Sequence, residues 1–258
     1  TMTLEIPKTI HYIWFGGKPL PPLAQRCIES WHRHMPGHEI IRWDETNFDV
    51  NAVPYTAAAY SAGKYAFVSD YARFRILYDH GGVYLDTDVE LIKPLDDILS
   101  HGAFMGCEDP IDKKHPHGRF GVNAGLGMAA PPAHPFYRQV LDFYETATFK
   151  QSENGFATVT VVDTITAMMK AGGLTRSDNI QNILGINIYP PEYFSPMDFD
   201  SGKIRITPHT RSIHHYAASW FSAERKIHMK ITRLLGPGAA RQAGKVWKFI
   251  RSTIFNRQ

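Results

Sequence analysis

Gly81-Gly82-Val83-Tyr84-Leu85-Asp86-Thr87-Asp88-Val89-Glu90 runs a short apolar segment into two carboxylates one residue apart. Side chains alternate faces along a strand, so an extended chain sets Asp86 and Asp88 on one side. Two like charges that close repel unless a cation neutralises them. Hard oxygen ligands select Mg²⁺ or Mn²⁺ over zinc. Such ions keep positions open for phosphate oxygens, so the occupant this implies is a metal-bound diphosphate, and the chemistry is transfer of the group attached to it. A lone Asp-x-Asp is more often a solvated turn, and it is the surrounding sequence that reverses the odds here.

Upstream, Tyr65 to Tyr78 reads as the body of a helix over residues 64–79 that ends at the Gly81-Gly82 turn, with Ser69 or Asp70 as candidate caps. Ala72, Ile76 and Leu77 follow helical spacing, and Asp70 and Arg73 at i and i+3 share one face. An exposed pair of that kind contributes under about 1 kcal/mol. Its position directly before the acidic run makes it a partner of that run.

The rest of the chain alternates strands and helices. Residues 10–14 and 39–43 read as strands, 83–85 as the strand delivering the acidic pair, and 89–92 as its continuation, stopped by Pro94. Helices are expected over 23–34, 135–145 and 158–170, and a long Gly/Pro/His-rich loop over 108–120, suited to touching an acceptor. This pattern implies an α/β fold with a mainly parallel central sheet flanked by helices, and ligands beyond the carboxyl ends of the strands.

Ser69-Asp70 with Arg73, then Gly81-Gly82-Val83-Tyr84-Leu85-Asp86-Thr87-Asp88, resembles the sugar-nucleotide signature of the family 32 glycosyltransferases, which the glucosylating bacterial toxins and the Golgi α-mannosyltransferases share. Ile6 to Gly17 resembles that family's first strand and turn, and His214-His215-Tyr216-Ala217-Ala218-Ser219-Trp220 its closing motif. The three blocks occur in order across roughly residues 6–220. The resemblance implies the nucleotide-sugar-binding A-type glycosyltransferase fold. It also implies a retaining, metal-dependent transfer of a hexose from a nucleotide-diphosphate sugar, UDP being favoured, to a glycan or lipid-linked oligosaccharide of the kind used in surface polysaccharide synthesis.

Carried over residue by residue, the resemblance makes Asp88 the main metal ligand and Asp86 a ligand of metal and ribose. Asp70 and Arg73 would grip the donor sugar, with Arg73 also reaching a phosphate oxygen. Backbone groups at Tyr12 and Ile13 would meet the base, and Trp14 would stack on it. Tyr84 resembles a tyrosine near the ribose or diphosphate, and Asn123 would face the sugar. In the closing block His214 is favoured as a metal ligand, with His215 the alternative, although the toxins carry a glutamate there. Ser219 and Trp220 would close over the diphosphate, Ser219 helping to bind metal and the indole N–H of Trp220 donating to the leaving phosphate.

Composition fits one catalytic domain, residues 1–224, followed by a basic amphipathic extension, 225–258. The 258 residues are 43% hydrophobic, enough to bury a sizeable core. From Arg225 onward there are nine basic and no acidic residues, which leaves residues 1–224 at −6 against a net +3 for the chain. Val246, Phe249 and Ile250 fall on one helical side with Lys245, Lys248 and Arg251 at its flanks, so a helical tail is expected, suited to peripheral contact with an anionic membrane. No nucleic-acid motif is visible, and no apolar run reaches the ~20 residues of a membrane span. With no signal peptide either, a cytoplasmic enzyme is expected, working at the membrane's inner face. Cys27 and Cys107 read as free thiols. Two other classes share features of this sequence. A haloacid-dehalogenase phosphatase wants Thr or Val where Glu90 stands. A non-catalytic carbohydrate-binding protein would bind glycans without turning over any nucleotide sugar.

Overall fold

The computed structural model describes residues 5–108, 120–150, 159–198 and 202–217. Elements follow in the order β1 (Thr9–Ile13), α1 (Pro22–His34), β2 (Glu39–Trp43), α2 (Pro54–Ser61), α3 (Tyr65–His80), β3 (Gly82–Tyr84), β4 (Val89–Leu91) and α4 (Asp96–Ser100). The chain continues through β5 (Phe104–Glu108), β6 (Gly121–Ala130), α5 (Pro135–Thr146), α6 (Val161–Ala171), β7 (Gln181–Ile183), β8 (Ile186–Tyr189), α7 (Pro191–Phe194) and β9 (Ser212–His214).

Seven strands form one sheet in the order β2-β1-β3-β6-β5-β8-β7, while β4 and β9 pair in a separate two-stranded sheet. In the large sheet β2, β1, β3, β5 and β8 run one way, and β6 and β7 run against them. The sheet is therefore mainly parallel, as the alternation of elements implies. Strand alternation sends side chains to two cores. On one face Val68, Phe74 and Leu77 of α3 pack with Val140 of α5 and Ile165 of α6. On the other, Ile10 and Val83 pack with Trp31 of α1 and Val89 and Leu91 of β4.

Local chemistry fixes the joints. Gly81 and Gly82 both take positive φ, 65° and 102°. A Cβ at Gly81 would lie 2.7 Å from Pro132, and one at Gly82 2.7 Å from the Thr9 carbonyl, so only glycine lets β3 lie this close to β1. Pro22 opens α1 and Pro135 opens α5, where a missing N–H costs nothing. Thr160 and Asp163 form a reciprocal capping box that starts α6, three residues later than its sequence pattern suggests.

Two expectations are corrected. Ser69 and Asp70 do not cap α3, which begins at Tyr65 with Lys64 before it; Ser69 Oγ donates to the Tyr65 carbonyl, and Asp70 faces Arg73. Residues 89–92 do not continue β3. The chain turns after Leu85, and Val89–Leu91 leaves the large sheet to pair with β9. Both cysteines are buried and outside any disulfide, and no described helix is long and apolar enough to cross a membrane. By contacts the chain divides into a main unit, Thr1–Pro196 with Ile206–His215, and a smaller one, Met197–Arg205 with Tyr216–Gln258. Within the smaller, Met197 and Ile204 form an isolated antiparallel bridge. The basic extension at 225–258 and most of the 108–120 loop lie outside the described residues.

His11 ties β1 to the end of α3. Its Nε2 lies 3.0 Å from the Gly81 carbonyl, and its Nδ1 accepts from Trp43 Nε1 at 3.0 Å, so the ring carries its proton on Nε2 and is neutral. Protonating Nδ1 would set two donors against each other. Burial, opposed by the Gly81 bond and reinforced by His80, lowers the His11 pKa to about 4. The unfolded chain, near 6.5, therefore binds a proton that the folded chain refuses. Stability from His11 is fully present above pH 6.5 and is lost as pH falls towards 4, about 3 kcal/mol in all. Urea unfolding at pH 7.0 and 4.5 should show His11→Gln losing less stability than the wild type over that interval; equal losses would assign the acid lability to other groups.

Candidate active site

The β3 strand ends inside the sheet, and its exit carries the acidic pair. Leu85 N donates to the His11 carbonyl, and Asp86 N reaches the Gly125 carbonyl at 3.4 Å. A tight turn follows, closed by Val89 N on the Asp86 carbonyl at 3.0 Å. Asp86 and Asp88 thus converge through a turn, and not through the pleat of a strand as their spacing suggests.

The third group arrives from far along the chain. β9 pairs antiparallel with β4, setting Val89 opposite His214 and Glu90 opposite Ile213. His215 N donates to the Asp88 carbonyl at 2.9 Å, which fixes the crossing. His214 Nε2 comes to 3.2 Å from Asp88 Oδ1. The two histidines go to opposite faces: His214 is buried beside the aspartates, while His215 Nε2 meets Glu90 Oε2 at 2.7 Å. One ligand atom each from Asp86, Asp88 and His214 lies within 4.8 Å of the others. Oxygens on opposite sides of Mg²⁺ are roughly 4 Å apart, so this set fits around one ion with little adjustment. Two carboxylates with one imidazole suit Mn²⁺ as well. Burial opposes a charge on His214, yet Asp88, with Asp86 and Glu108 adding to it, raises its pKa above 6.5. The pocket holds its imidazole ready for positive charge, a proton or a cation in its place.

Behind the pair lies a buried polar network. Arg73 and Asp70 are 5% and 7% exposed. The Arg73 guanidinium stands 3.1 Å from Asp70 Oδ1 and 3.6 Å from Asp86 Oδ1, and its Nε donates to the Ser69 carbonyl at 3.0 Å. It also lies over the Tyr84 ring, 4.9 Å from the centroid. Tyr84 is buried, and its hydroxyl donates to Asp86 Oδ1 at 2.7 Å, so it acts on the site through that carboxylate. Burial pushes Asp70 up to about 7, with Arg73 opposing and Asp86 adding repulsion. Among the described residues, the Arg73 guanidinium is thus shared between two carboxylates, Asp70 and Asp86.

Other expected residues sit around this centre. Trp14 follows the end of β1, half-buried, its indole N–H held by the Lys18 carbonyl at 2.6 Å. Ile13 is buried in the sheet, paired with Trp43 of β2. Asn123 stands on β6, where its Nδ2 donates to Glu108 and its Oδ1 accepts from Gly125 N, both at 2.8 Å. Ser219 and Trp220 lie outside the described residues. Glu108 and Gly125 were not singled out from the sequence. The available signal was Gly125-Leu126-Gly127 inside an apolar run, since glycine within a strand marks a bulge or a close backbone approach.

Residues 21–105 match the family model described as "Glycosyltransferase sugar-binding region containing DXD motif". Inositol phosphoceramide mannosyltransferase 1 of Schizosaccharomyces pombe is 28% identical over 149 residues, 53% of this chain and 42% of that protein. An uncharacterized glycosyltransferase of Acanthamoeba polyphaga mimivirus is 36% identical over 106 residues, 39% of this chain and 42% of that protein. The chain thus spans about two fifths of the length of these relatives. Among solved structures, the PaToxG glycosyltransferase aligns over 54% of this chain and 60% of its own, at 19% identity and a TM-score of 0.42.

Proposed function

We propose that this chain, whose residues 21–105 match a DXD-containing glycosyltransferase sugar-binding region, moves a hexose from a nucleoside diphosphate sugar to a hydroxyl of a glycan or lipid-linked acceptor, with retention of configuration. The observation that supports this most is the convergence of Asp86, Asp88 and His214, drawn from two distant segments, with Arg73 directly behind Asp86. A divalent ion on the three, Mn²⁺ or Mg²⁺, would neutralise charge on the leaving diphosphate. Arg73, held by Asp70 and the Ser69 carbonyl, keeps its fork aimed for a sugar or phosphate oxygen. Trp14 offers an indole of fixed orientation at the end of β1 for the base. The resemblance assigns the diphosphate end to Trp220 and Ser219, which lie outside the described residues. The acceptor hydroxyl loses its proton to the departing diphosphate oxygen as the new glycosidic bond forms on the same face.

A UDP-sugar is the first donor we propose, while the relatives' names bring mannose and an inositol phosphoceramide into consideration. A lipid acceptor suits the basic segment at 225–258, which would sit against anionic headgroups. UDP-glucose, UDP-galactose and GDP-mannose, each with and without Mn²⁺, form the test. One donor should raise the melting temperature by several degrees and be hydrolysed, in both cases only with the ion present. A shift without turnover would favour a binding protein, and neither effect across the panel would contradict the reading.

A further inference from the structure

The β5–β6 ladder is interrupted. Met105 pairs with Met128, but the next residue, Gly106, pairs with Asn123, so residues 124–127 bow out of register with β5. Bulges of this kind re-aim chain beside active sites. Here the bow carries the Gly125 backbone against the acidic turn. Its carbonyl accepts from Asp86 N, and a Cβ built on Gly125 would stand 2.2 Å from Asp86 Oδ2. The Asp86 carboxylate occupies the space that any side chain at 125 would fill.

The bow is held at one end by side chains. Asn123 Oδ1 accepts from Gly125 N, and Asn123 Nδ2 donates to Glu108 Oε2 on the neighbouring strand. Tyr84 holds the other oxygen of the same carboxylate, Asp86 Oδ1. Asp86 is thereby fixed from two sides, by a phenol on one oxygen and by a glycine backbone against the other.

We propose that the β6 bow is a positioning device for the metal-binding carboxylate: Gly125, tethered through Asn123 to Glu108, sets where Asp86 stands relative to Asp88 and His214. This rests on the reading of those three residues as a divalent-ion site. Gly125 is a clean place to test it, because its φ lies outside the left-handed region and alanine suits its backbone. The added methyl meets Asp86 Oδ2 and, at 3.1 Å, Asn123 Oδ1.

In the full chain, Mn²⁺ affinity measured by electron paramagnetic resonance should fall at least tenfold in Gly125→Ala, read on protein that circular dichroism shows to be folded. Glu108→Ala, which removes the tether without adding bulk, should weaken Mn²⁺ binding severalfold. Glu108→Gln should restore most of it, since its amide oxygen can still accept from Asn123. Wild-type affinity in both Gly125→Ala and Glu108→Ala would overturn the proposal. If Gly125→Ala does not fold, the contrast between Glu108→Ala and Glu108→Gln decides it. A wild-type chain that binds no Mn²⁺ would instead remove the metal site on which the proposal stands.

Discussion

Asp88→Ala is expected to abolish divalent-ion binding and to cut nucleotide-sugar turnover about 10³-fold, on the order of 4 kcal/mol of barrier. The loss follows from geometry. Asp88 is the member of the set that touches His214 directly, and its turn is closed against both Asp86 and β9, so no neighbouring carboxylate can take its place. Metal-free stability should fall only modestly, because His214 left without Asp88 can release its proton and repulsion between Asp88 and Asp86 is relieved. Mn²⁺ titration, donor hydrolysis and urea unfolding on one preparation would check all three expectations. A variant that keeps more than a tenth of wild-type turnover would remove Asp88 from the chemistry.

Arg73→Met should cost more in stability than any surface change, about 3–5 kcal/mol, because it strands two carboxylates around a buried position. Asp70 is the more exposed to this loss. It is 7% accessible, already pushed up to about 7 by burial, and paired with no other cation in the structure's described contacts. Adding Asp70→Asn to Arg73→Met should recover part of the stability, since the neutral amide has no charge to compensate, while turnover stays low for want of the guanidinium. Urea midpoints for the two single variants and the double variant form the cycle that measures the coupling. A loss below 1 kcal/mol in Arg73→Met would show that Asp70 does not depend on Arg73 for its burial.

Much of this was legible in the sequence for physical reasons. α3 announces itself by spacing and by the glycines that stop it, and β2 was read to its ends because Pro36-Gly37 fixes where it starts. Asp86 and Asp88 were read as neighbours, but through strand alternation. The turn that brings them together depends on β4 leaving for a partner that local pattern does not reveal. His214 rested on resemblance alone, since Ser212–His214 is too short to carry a period. Gly125 could not be placed at all, because a glycine within a strand shows that something approaches closely and never says what. Trp14 was expected inside the first strand and lies one residue beyond it, where its ring is held by a loop carbonyl.

The short β4–β9 ribbon has a consequence for how the protein matures. Glu90 and His215, in contact beside it, lie 125 positions apart in the chain, and His214 rides on the later strand. During synthesis the acidic turn is made long before its imidazole leaves the ribosome. Closing so large a loop costs conformational entropy, which must be recovered when the late segment docks. A chain that stops short of β9 therefore has the acidic turn, with Tyr84 and Arg73 against Asp86, but lacks the imidazole that completes the set of three.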